Sequence, residues 1–168
     1  MSEQEKPRLK IEEEIIAQLG GDLQKNALDF IAYLKESGMT PDATHSSAFR
    51  YFDKWVCILI IMPIDGKIGW TIFDNPLCGR EYDLPVDDDL KEFAWKHVNI
   101  CCHFTSGGKY CGCGNQPGKH ATIFGKEFDN VCTSEVAFSN PDAGALKKIV
   151  RLIDAWKDHV VEEIQRKP

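Results

Sequence analysis

The sequence predicts an α+β domain, with an antiparallel β-sheet packed against helices in the order ααβββ(β)αββα. Three observations lead there. Both ends of the chain carry apolar residues at helical spacing. The middle carries short runs rich in aromatic and β-branched residues, separated by tight-turn signals. The connections between those runs are too short for crossover helices, so hairpins dominate and the strands pair antiparallel. With 168 residues and no internal repeat or linker, residues 1–168 form a single domain.

The elements follow in order. Ile11, Ile15 and Leu19 recur every fourth residue in a first helix over 8–19, which Gly20 and Gly21 end. Asp22 opens a second helix whose stripe is Leu23, Ala27, Phe30, Ile31 and Leu34. "AFRYF", "WVCILIIMP" and "IGWTIF" read as strands, the last two joined by the Asp65-Gly66 hairpin signal. The middle run is apolar throughout, which predicts a central strand covered on both faces. "REYDL" is a candidate fourth strand. "VDDDLKEFAWKHVNICC" reads as a third helix, with Asp87, Asp88 and Asp89 where a helix start favours negative charge. On it, Leu90, Phe93, Ala94, His97 and Cys101 fall on one face. "ATIF" and "VCTSEVAF" read as strands around the turn "GKEFDN". Asn140 caps a last helix with Pro141 at its first position, and Leu146, Ile149, Val150, Ile153, Trp156, Val160 and Ile164 give it a buried face.

Composition narrows the functional classes. The net charge of −6 argues against a dedicated nucleic-acid binder. No apolar run approaches the roughly 18 residues that span a bilayer, and the polar start "MSEQEKPRLK" has no signal-peptide core, so the expected location is cytoplasmic. In that compartment the seven cysteines stay reduced, which points away from a disulfide scaffold.

The chemistry concentrates in "HFTSGGKYCGCGNQPGKH", residues 103 to 120. It lies within a longer stretch, Phe93 to Lys126, that has no Asp or Glu in 34 residues. That stretch carries Lys96, Lys109, Lys119, Lys126, His97, His103 and His120. Zinc takes four thiolate or imidazole ligands in a tetrahedron. At helical spacing His97 and Cys101 reach one ion, and Cys111 and Cys113 on the loop close its other side. Cys102, His103, His120 and Cys132 are reserves. The spacing is not that of a standard zinc finger, because C-x-C replaces C-x-x-C and no second such pair exists. "SGGKY" and "QPGKH" place lysines after glycines, so Lys109, Lys119 and His120 are candidates for a small anionic or polar ligand. Neither is a P-loop. A dithiol of Cys111 and Cys113 is the alternative for a thiol-dependent enzyme. A surface interaction module with incidental cysteines is the third option. Trp55, Trp70 and Trp95, with Tyr51 and Phe73, either line an apolar ligand pocket or form core.

The run "TIFGKEFDNVCTSEVAFSNPDAGALKKIVRLID" (Thr122 to Asp154) resembles the C-terminal part of small bacterial proteins, chiefly from Firmicutes. The layout of strands followed by a closing "NPD" helix looks, more loosely, like small α+β domains of the YjbR type. The resemblance implies the same fold class and a bacterial cytoplasmic origin. It places no catalytic residue on this chain. Together these observations favour a binding module over an enzyme, with its site between His97 and His120.

Overall fold

The computed structural model describes residues 10–45, 47–74, 84–101 and 118–166. The elements are helices α1 (Ile11–Gln18) and α2 (Gly21–Glu36), strands β1 (Thr40–Pro41), β2 (Ala48–Tyr51), β3 (Lys54–Ile64) and β4 (Lys67–Asp74), helix α3 (Asp88–Lys96), strands β5 (Val98–Ile100), β6 (Lys119–Ile123) and β7 (Lys126–Ser139), and helix α4 (Ala143–Arg166). The sheet is antiparallel, in the order β1-β2-β3-β4-β7-β5, with β6 also paired to β7. The α+β architecture expected from the hairpin pattern is the one observed. The candidate strand "REYDL" lies almost wholly outside the described residues.

Two hairpins rest on left-handed backbone. Asp65 (φ 49°) and Gly66 (φ 78°) turn β3 into β4, with Ile64 opposite Lys67. Both central residues have positive φ, the conformation that matches the twist of the flanking strands. Phe124 (φ 48°) and Gly125 (φ 77°) do the same between β6 and β7. This second turn is shorter than the expected "GKEFDN". Lys126 to Asn130 belong to β7 instead, because pairing with β6 satisfies their backbone groups as a turn would not.

The core lies between one face of the sheet and the helices. Leu59, Trp70, Ile72, Val136 and Phe138 from the sheet join Ile11, Ile15, Phe30, Leu34, Ala94, Ile149 and Trp156 from the helices. β3 sits between β2 and β4 but is not covered on both faces. Leu59 is 2% exposed, whereas its neighbour Ile60 is 42% exposed. Successive strand residues alternate faces, and the helices take only one of them.

Polar bridges fix how the helices sit. Asp87 caps α3, its Oδ1 accepting from the Leu90 amide at 3.0 Å. The same carboxylate pairs with Arg151 of α4, and Asp89 pairs with Lys148 at 2.7 Å. The Leu90 amide and the Arg151 guanidinium hold Asp87 below the usual carboxylate range. Tyr33 of α2 donates to Asp154 of α4 at 2.8 Å. Burial, and then that hydrogen bond, push the Tyr33 phenol well above its ordinary value.

The start of α4 differs from expectation. Asp142 caps it, with Oδ1 accepting from the Ala145 amide at 2.7 Å. Asn140 is left-handed (φ 45°) and turns back onto β4. Its amide donates to the Trp70 carbonyl at 2.8 Å, and its Oδ1 accepts from the Trp70 amide at 2.9 Å. Gly69 leaves room for this bridge, since a Cβ there would run into the Asn140 side chain and Ile64. Asn140→Ala therefore leaves the Trp70 amide unpartnered and should cost about 1–3 kcal/mol. Asp142→Ala, a lost cap, should cost about 1 kcal/mol. Urea unfolding of both variants checks the order, and an Asn140→Ala cost no larger than the cap's would refute the bridging role.

Candidate functional site

Residues 102–117 are not described, but both chain ends that flank them are, and both abut the same point on β7. Ile100 on one side and Lys119 on the other each lie opposite Val131. The Cys101 amide donates to the Asn130 carbonyl at 2.6 Å. Gly118 lies so close to the Asn130 backbone that a Cβ would overlap it. Asn130 is left-handed (φ 59°), a conformation that asparagine tolerates better than most residues, and the register with β6 shifts across it, between Phe128 and Val131. Two strand spacings, about 10 Å, separate the two anchor points. The glycine- and cysteine-rich segment thus begins and ends at one place on the sheet, beside Cys101 and Cys132.

The structure places the expected site residues differently. The third helix ends at Lys96, with His97 as its C-cap, and Val98–Ile100 are strand. Val98, Asn99 and Ile100 are poor helix formers, and pairing with β7 is open to them. Asn99 adds a side-chain bond to the Ser134 carbonyl at 2.9 Å. His97 and Cys101 therefore do not share a helical face. Four residues that are mostly extended put their Cα atoms on the order of 10–13 Å apart. The His97 ring packs against Phe93 and Phe138, with centroids 4.5 and 5.0 Å away, and its Nδ1 meets the Phe93 carbonyl at 2.8 Å. Cys101 is buried and Cys132 half-buried, both as free thiols. Lys109, Cys111 and Cys113 lie outside the described residues, as do Cys102 and His103. Among the described residues no three His, Cys, Asp or Glu side chains gather as a metal site.

The two described candidates for an anion are already engaged by acids of β7. Lys119 Nζ lies 2.5 Å from Glu135 Oε1, and Glu135 is 2% exposed. Glu135 Oε2 is also buried and has no hydrogen-bond partner. His120 Nδ1 meets Asp129 at 2.8 Å, with Glu127 3.9 Å from Nε2. The Asp129 hydrogen bond, supported by the Asp129 and Glu127 charges, outweighs desolvation and raises His120 above the ordinary histidine value. Within the stretch free of acid in sequence, Lys119 and His120 are thus neutralised across the hairpin. Glu135 went unrecognised in the sequence reading. Its signal was an acid in the middle of the apolar run "VCTSEVAF".

The aromatics do not form one pocket. Trp70 is core, with its ring 6.3 Å from Phe30. Trp95 donates to the Ile123 carbonyl at 2.6 Å, and Trp55 lies under Arg50 at 4.2 Å. The lining of the core cavity includes instead Trp156, which the sequence marked only as part of a buried helix face.

No protein-family model matches the chain, and no curated protein or solved structure matches it significantly. Among the described residues, no helix is long and apolar enough to cross a membrane.

Lys119→Ala leaves the buried Glu135 carboxylate without a partner on either oxygen and should lower stability by about 1–3 kcal/mol. Glu135→Leu in that background should restore most of the loss, as removing both members of a buried pair is far milder than removing one. Urea unfolding of the single and double variants decides. For His120 the raised folded value means a stabilisation complete below the unfolded pKa and lost as pH rises through the folded one. Imidazole NMR should place its midpoint above about 6.5. Asp129→Asn should bring the midpoint down, and an unmoved midpoint would contradict the pairing.

Proposed function

We propose that the protein is a non-catalytic binding module whose site is the segment from His97 to His120, organised by one zinc ion. The supporting observation is the shared anchor of the segment's two ends on Asn130 and Val131 of β7. Five of the seven cysteines lie between Cys101 and Cys132, and that anchor draws the first and last of them to the root of the segment. Cys101, Cys111 and Cys113 remain the proposed ligands. His97 is packed against Phe93 and Phe138, so Cys132 takes its place as the fourth. Four thiolates make a closed structural site, which suits holding a glycine-rich segment in one conformation better than activating a water. In a reducing cytoplasm the thiols stay available for the metal. The ligand that such a module presents itself to is small and anionic or polar, with Lys109 proposed to contact it.

Protein purified without a histidine tag should carry about one zinc per chain by elemental analysis. Cys132→Ser or Cys113→Ser should lower that content and, with it, the thermal midpoint. Less than about 0.1 zinc per chain, with all thiols titrating freely, refutes the proposal.

A further inference from the structure

A cavity of about 60 Å3 lies in the core between the sheet and helices α3 and α4. Its wall is formed by Val56, Ile72, Val136 and Phe138 from the sheet, Ala94 from α3 and Trp156 from α4, with other apolar side chains and Cys57 completing it. One water needs roughly 10–15 Å3 of such space, so the cavity has room for a guest of about four to six non-hydrogen atoms. Water suits it poorly. A buried water needs two to four polar partners, and an apolar cavity of this kind stays dry and takes apolar guests.

Two further features bear on this space. Trp156, a residue of the cavity wall, is 3% exposed, and its Nε1 is buried without a hydrogen-bond partner. Such a donor costs free energy unless something accepts from it. Phe124, also in the wall, is held at φ 48°, a conformation disfavoured for an aromatic residue, while its side chain is 8% exposed. The β6–β7 hairpin turn fixes that backbone, so this part of the wall sits on a rigid element.

We infer that this cavity is a binding site for a small uncharged molecule with a hydrocarbon body and one hydrogen-bond acceptor, of the ketone, ester or ether class, whose acceptor takes the Trp156 N–H. The apolar wall buries the hydrocarbon part, and the unpartnered Trp156 donor selects for an acceptor. A charged guest is disfavoured, because the described wall residues offer no group to pair with it. None of the described lining residues is a proposed zinc ligand.

The test is NMR of the full chain, following the four indole N–H resonances during titration with 2-butanone, and separately under xenon. Trp156→Phe assigns the resonance. Trp70, whose Nε1 is likewise buried without a partner but lies outside the cavity wall, serves as the internal control. The expected result is a saturable shift of the Trp156 resonance with Trp70 unmoved. Ala94→Val and Val136→Ile, which fill the space by two carbon atoms and one, should weaken it. Trp156→Phe should weaken 2-butanone, followed through the Phe124 and Ile149 resonances, about three- to tenfold while leaving xenon binding intact. Xenon binding with no saturable 2-butanone shift overturns the inference, because the cavity is then a packing void. A shift shared equally by Trp70, or a 2-butanone affinity unchanged in Trp156→Phe, overturns it as well. The wild-type titration alone decides the matter if the filled variants do not fold.

Discussion

The backbone pairing of β7 is the constraint on which the rest depends. This one strand hydrogen-bonds β4 through Thr71–Phe73 and Ala137–Ser139, β6 through Lys126–Val131, and β5 through Val131–Val136. Its register shifts against β6 between Phe128 and Val131, where Asn130 takes a left-handed φ of 59°, and against β5 between Val131 and Val136. Both described ends of the cysteine-rich segment meet Asn130. Cys101 bonds to its carbonyl, and Gly118 presses on its backbone. The same strand ends in Ser139 and the Asn140 bridge to Trp70, which aims the chain into α4.

Charge follows the same strand. Lys119 and His120 come from a stretch with no acid of its own, yet each meets an acid of β7. A hairpin brings together residues far enough apart in sequence that counting charges in a window cannot see the compensation. Lys119–Glu135 is the costlier pair. One partner is almost wholly buried, so its value is less an attraction gained than a desolvation penalty avoided. The His120 pair is exposed and screened by solvent, and it sets a titration more than a stability.

Legibility followed the physics of each level. Amphipathic periodicity made α1, α2 and α4 readable, because a helix stripe reports burial directly. The Asp65-Gly66 turn was readable because few residue pairs tolerate positive φ twice. The end of α3 was not. Phe93, Ala94, His97 and Cys101 keep helical spacing, and only pairing with β7 decides that Val98 to Ile100 extend instead. Asn140 shows the same limit. Local chemistry allows it as a cap beside Pro141, but the Trp70 backbone claims it and leaves capping to Asp142.

By itself the sequence determined the α+β class, the helix stripes, the hairpins and the stretch where cysteines and glycines gather. These are local properties, written in spacing and in the conformational range of single residues. The tertiary structure alone decided which strand the stretch is tied to, that His97 packs on aromatics away from Cys101, that Glu135 is buried against Lys119, and that Trp156 rather than Trp55 or Trp95 lines the core cavity. Those outcomes depend on contacts between residues distant in sequence, and local propensity carries no information about who the partner is.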